Sequence, residues 1–165
     1  FGAGLPIGII SVSKSISEQL EKLKTKVFFG GTFSGNSMVT YVGYNVLNFI
    51  KKNKSKIFSE INKNAKFFEK TLNDFFKKEK LDLKIYRFQS MLRLVYTKSK
   101  LNDRLGRDFL EIKKTNSMYK FKKYIKSQKI YLASNGIIFF SYCHKKHHIK
   151  YLINRFKAGS VKYLR

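Results

Sequence analysis

The chain has 165 residues, 43% of them hydrophobic, enough to bury a sizeable core in one or two small domains, and its single Cys143 excludes an internal disulfide and suits a reducing compartment. No uninterrupted apolar run approaches the length that crosses a bilayer, so a soluble, cytoplasmic protein without a membrane partner is expected. Lys and Arg number 35 against 10 Asp and Glu, a formal net charge of +25, and so few acids leave little room for general acid chemistry inside the chain.

Taken from the front, LPIGII at residues 5–10 is a short apolar run after glycine punctuation and predicts a buried strand. Ser15 and Glu18 form a capping box, and Ile16, Leu20, Leu23 and Val27 recur at helical spacing, so a short helix follows. Residues 27–37, VFFGGTFSGNS, have the make-up of an anion cradle. Gly30 and Gly31 let the backbone approach a ligand, Thr32 adds a hydroxyl, and free amides before a helix face a phosphate; a plain tight turn uses the same residues. From residue 37 to about 51, Met38, Val39, Val42, Val46, Leu47, Phe49 and Ile50 make an apolar helix face, in which Gly43 permits close packing.

KKNKSK at residues 51–56 is polar and charged and predicts a bend or linker, which places a domain boundary between 1–55 and 56–165. Beyond it Ile57, Phe58, Ile61, Ala65, Phe68, Leu72, Phe75 and Phe76 hold one helical face through about residue 78. LKIYRF and MLRLVY predict two strands turning near Gln89 and Ser90, and residues 98–113 are polar enough to predict a loop. Met118, Phe121 and Ile125 mark a helix capped by Asn116 or Ser117; KIYLA and GIIFFSY predict two strands bracketing Ser134 and Asn135; the last helix turns Ile149, Leu152, Ile153 and Phe156 inward. The order helix, strand, strand, helix, strand, strand, helix predicts an α+β unit with helices on one face of a mainly antiparallel sheet.

Two further clusters carry candidate chemistry. Cys143, His144, His147 and His148 are transition-metal ligand types, but a structural site wants four separated ligands and there is no second cluster, so no metal is assigned. Arg87 and Arg93, on adjacent strands, could meet a carboxylate bidentately or face solvent.

Several segments together resemble one family. FGAGLPIG at residues 1–8 and GGTFSGN at 30–36 stand at the distance found in fold-type I pyridoxal phosphate enzymes of the class III aminotransferase family, in the manner of the glutamate-1-semialdehyde aminomutase branch. SMLRLVYT from Ser90, KIYLAS from Lys129 and SYCH from Ser141 recur in the family's order, so the resemblance covers nearly the whole chain. It implies an α/β and α+β fold: residues 1–55 end the large domain that binds pyridoxal 5'-phosphate, and 56–165 form the small C-terminal domain. It implies a homodimer with a shared active site, in which Gly31 and Thr32 bind the phosphate of the neighbouring subunit's cofactor, and a small-molecule amino donor and acceptor. The cofactor-bearing lysine would fall just upstream of Phe1 and the aspartate facing the pyridine nitrogen earlier still. No catalytic residue is therefore expected in this chain, which looks like part of a longer enzyme. Ser141-x-x-His144 then merely leads into the final helix. The chain departs from the branch after KIYLAS, where NGIIFF lacks a Phe-Glu pair, so aminomutase and aminotransferase both stay open.

The net charge supports the alternative of a small basic nucleic-acid-binding protein, with aromatics interleaved as in KFFEKTLNDFFKK. Against it, lysines spread along every predicted helix as on a solvated face, and the abundance of Lys, Asn, Ile, Phe and Tyr follows AT-rich codon usage.

Overall fold

The computed structural model describes residues 3–28, 30–32, 34–97, 101, 103–133 and 136–165. Phe1 and Gly2 of the first glycine motif, and Ser134 and Asn135 of the expected turn, lie outside the described residues. The chain divides into two compact units, Phe1–Lys54 and Ser55–Arg165.

In the first unit, residues 6–13 carry no strand, and Ile9 and Ile10 are exposed. The apolar run is there, but a strand needs a neighbour to bond its backbone, and the described strands all lie in the second unit. The expected short helix forms as α1, Lys14–Glu21, but ends before Leu23 and Val27, which are exposed. Its cap is Ser13 rather than Ser15: the Ile16 amide donates to Ser13 Oγ at 3.3 Å.

Helix α2, Ser37–Lys78, runs unbroken through KKNKSK, so the expected bend is absent. From Tyr44 to Lys78 it contains neither Gly nor Pro. Lys is a good helix former, and Asn45 and Asn53 return their side-chain amides to the carbonyls of Tyr41 and Phe49, four residues back. The polar stretch here is solvated helix. Toward its start Val39 is buried while Met38, Leu47 and Phe49 stay exposed, a thinner apolar face than the periodicity suggested.

The second unit contains a three-stranded antiparallel sheet in the order β1-β2-β3, with β1 Leu83–Phe88, β2 Met91–Tyr96 and β3 Ile137–Phe139. Phe88 pairs with Met91, leaving Gln89 and Ser90 as a two-residue turn in which Gln89 adopts φ 53°. Leu83, Ile85, Leu92, Leu94, Tyr96 and Ile138 join the core, with Ile57, Ile61, Ala65, Phe68, Leu72 and Phe76 of α2 facing them. Edge-to-face contacts of Phe68 with Phe140 and Phe156, at 5.3 and 5.4 Å, and of Phe121 with Phe156 at 5.3 Å, lock this layer. Phe121 belongs to α4, Thr115–Ser127, and Phe156 to α5, Lys146–Tyr163. Ile149 and Ile153 are buried as expected.

Three expectations fail in this unit. Residues 98–113 are not all loop: α3, Arg104–Lys113, is capped by Asp103, whose Oδ1 accepts from the Gly106 amide at 2.7 Å. Arg104 with Asp108, and Arg107 with Glu111, stand four residues apart as ion pairs, a helical signal that polarity hid. The residue before α4 is Lys114, without a side-chain cap bond, because α4 follows α3 directly and leaves Asn116 and Ser117 inside the helix. KIYLA forms no strand; of the two expected strands here, only Ile137–Phe139 of the second forms, pairing with β2.

Candidate functional site

The glycine-rich segment and the start of α2 line a cleft of about 940 Å³ within the first unit. Ile7, Gly31, Thr32, Gly35, Thr40 and Gly43 are among its walls. The Ser34 amide donates to the Gly31 carbonyl at 2.9 Å, closing a tight turn, and Gly35, at φ 70°, swings the chain from that turn into α2. Asn36 then caps the helix, its Oδ1 accepting from the Val39 amide at 3.1 Å. This cap was legible in principle, because an Asn stands directly before the helical run.

Space at the turn is distributed unevenly. A Cβ on Gly31 would meet only Ser34 Oγ, at 3.5 Å, whereas a Cβ on Gly30 would collide with the ring of Phe28. The backbone at Gly31 is therefore open to an incoming group. Gly43 lets the first segment lie against α2, since a Cβ there would fall 2.6 Å from Ile7 Cδ1. The first turn of α2 contains no acid to offset its positive end. A turn amide, the hydroxyl of Thr32 and a helix N-terminus form a donor set that suits an anion such as phosphate.

The other sequence candidates are occupied elsewhere. The register sets Tyr86 opposite Arg93 and Leu92 opposite Arg87, so the two guanidinium groups leave opposite faces of the sheet. Arg87 Nε donates to Glu69 on α2, and Arg93 Nη2 to Glu111 on α3, each at 2.7 Å. They do not converge on one carboxylate. His144 Nδ1 accepts from the Ser141 amide at 2.9 Å, and His148 Nδ1 from the Lys145 amide at 3.1 Å, so both rings are spent on entering α5. Desolvation, then the neighbouring His147, His144 and Lys145, hold His148 below the usual imidazole range. Among the described residues no group of three or more His, Cys, Asp or Glu is arranged to hold a metal, and no helix is long and apolar enough to cross a membrane.

No protein-family profile matches the chain. Curated sequences do. It is 32% identical over 135 residues to a glutamate-1-semialdehyde 2,1-aminomutase from Alkaliphilus metalliredigens, covering 80% of this chain and 29% of that protein. To the enzyme of that name from Clostridium novyi it is 32% identical over 102 residues, covering 62% of this chain and 23% of the relative. Solved structures agree in fold. A Pseudomonas aeruginosa glutamate-1-semialdehyde aminomutase in complex with PMP superposes with a TM-score of 0.69 over 92% of this chain and 35% of its own, at 9% identity. A β-phenylalanine aminotransferase from Variovorax paradoxus gives 0.72 over 90% and 34%, at 14% identity. The chain is thus similar in sequence to glutamate-1-semialdehyde 2,1-aminomutases and in fold to aminotransferases and aminomutases. It spans about a third of the length of the relatives it matches. Its fold is that of the C-terminal part of a fold-type I enzyme, helices with a small antiparallel sheet, as the resemblance implied. The nucleic-acid alternative, resting on charge, finds no support among these relatives.

Proposed function

We propose that the complete protein is a pyridoxal phosphate-dependent aminotransferase or aminomutase acting on small-molecule amino compounds, and that this chain supplies its C-terminal portion. Residues 1–55 end the large, cofactor-binding domain and 56–165 form the small domain. The observation that carries this reading is the first-unit cleft, where Gly31, Thr32 and the N-terminus of α2 line one space in a chain whose relatives are aminomutases.

The residues present fit the cofactor's phosphate. Gly31 leaves open backbone where a side chain would stand, and Thr32 adds a hydroxyl in a cleft that the acid-free first turn of α2 also lines. When bound, pyridoxal phosphate supplies the electron sink that stabilises a carbanion next to the amino group. The part played by this chain is to hold and orient: a rigid turn and a capped helix fix the phosphate and thereby the distance of the ring from its substrate. Gly31 and Thr32 act across a homodimer, each subunit gripping the cofactor of its neighbour, so that the active site is shared. No catalytic residue and no metal is assigned within the chain, and the protein works in the cytoplasm.

The test is Thr32→Val in the complete protein. The exchange keeps the shape and removes a charge-assisted hydrogen bond worth about 1.5 to 3 kcal/mol. Affinity for pyridoxal phosphate, followed by absorbance titration, should fall roughly tenfold to a hundredfold. Unchanged affinity would falsify the assignment of the cradle.

A further inference from the structure

Helix α3 is amphipathic in the reverse sense. Leu105, Phe109 and Ile112, spaced four and three residues apart, form an exposed apolar stripe, while both acids of the helix are tied to arginines: Asp108 to Arg104 and Arg107, and Glu111 to Arg93. Tyr119 of α4 is exposed as well. Ile112 and Tyr119 line one cleft of about 560 Å³ together with Leu94, Met118 and Leu132, so the stripe continues into α4 as one apolar face.

The rim of this face is basic. Arg104, Lys113 and Lys114 are exposed at the two ends of α3, and Lys120 and Lys123 on α4, a helix whose sequence contains no Asp or Glu. Asp103, beside Arg104, is occupied in capping α3. The Lys113 ammonium lies 4.3 Å from the centre of the Phe109 ring, which sets a cation level with the stripe. Apolar side chains ringed by cations on a helix at the surface suit the boundary of an anionic bilayer, where the rings and aliphatic groups enter the acyl edge and the lysines meet headgroup phosphates. A second copy of the chain brings the same cations against the rim and is opposed by them. We propose that the α3–α4 face docks the complete protein reversibly on an anionic lipid surface. The absence of a membrane partner expected from the sequence rested on spanning runs, which a helix lying in the interface does not need. The reading of Gly31 and Thr32 plays no part in this inference.

The experiment is cosedimentation of the complete protein with vesicles of phosphatidylglycerol and, separately, of phosphatidylcholine. Binding to phosphatidylglycerol should be roughly tenfold or more the tighter and should fall as salt is added. A net charge of +25 attracts anions by itself, so variants decide where the contact lies. Phe109→Ser with Ile112→Ser, both exposed and outside the core, should weaken binding to phosphatidylglycerol roughly tenfold or more. Lys113→Glu with Lys114→Glu should weaken it by about the same factor, whereas the same reversal at Lys51 and Lys52 of α2 should cost less than about threefold. Thermal melting checks that each variant is folded; if the double serine variant is not, Leu105→Ser carries its expectation. No binding to phosphatidylglycerol overturns the proposal, and protection of the α3 amides from hydrogen exchange without lipid would then assign the face to another part of the complete protein. Binding that the serine variants retain, or that both lysine reversals weaken equally, is unspecific charge attraction and overturns it too. Equal binding to the two lipids also refutes it.

Discussion

At the scale of single residues, Tyr96 shows how burial changes a group that no sequence motif marks. Only 4% of it is exposed. Burial pushes the phenol up to about 12, opposed in part by the side chain of Ser117. A raised value means that the folded chain keeps a proton that the unfolded chain releases above pH 10. The stabilisation is thus complete below pH 10 and is lost as pH rises to about 12, a decline of about 2 to 3 kcal/mol. Tyr96→Phe should remove this decline. Urea unfolding of both proteins at pH 9 and pH 11.5 measures it; parallel losses of stability would rule out the assigned shift.

At the scale of elements, the instructive junction is between α2 and the edge of the sheet. Asn73 Nδ2 donates to the Ile85 carbonyl at 3.0 Å while its Oδ1 accepts from the Ile85 amide at 2.7 Å. One side chain therefore completes the outer backbone pair of β1, an edge strand that has no neighbour on that side. Asn73→Ala strips both partners at once and should destabilise the protein by about 1 to 3 kcal/mol in urea unfolding. A change below about 0.5 kcal/mol would show that water replaces the side chain there. Periodicity located Phe68, Leu72 and Phe76 on the buried face of this helix correctly. It was silent about Asn73, because a polar residue at the rim of a stripe looks the same whether it meets solvent or a strand.

At the scale of the whole molecule, the disposition of α3 stands out. It turns Arg107 and Glu111 toward β2, where Glu111 pairs with Arg93, and leaves Leu105, Phe109 and Ile112 on its outer face, 80, 61 and 72% exposed. A helix in water normally does the reverse. In the first unit Ile10 and Phe28 are likewise exposed. Such apolar surface is expected to drive association of the 165-residue chain by itself, despite its net charge of +25. Light scattering at moderate salt reads this directly, and a clean monomer would count against it. The same isolated chain should show no transaminase turnover, since the proposed active site needs parts that it does not contain.

Local chemistry alone was enough to locate α1, the long stripe of α2, the β1–β2 hairpin and the buried face of α5, because each is written in the spacing of neighbouring apolar residues. The glycine-rich turn before α2 was legible for the same reason: Gly, Ser and Asn determine turns and caps within a few residues of themselves. Pairing was not. Whether LPIGII and KIYLA become strands depends on a backbone partner elsewhere in space, and neither has one among the described residues. The fates of Arg87 and Arg93 were equally hidden, because strand register sends them to opposite faces and into separate ion pairs. Likewise the polarity of residues 98–113 hid α3; its Glu111 pairs with Arg93, and only the folded arrangement of α3 against β2 supplies that partner.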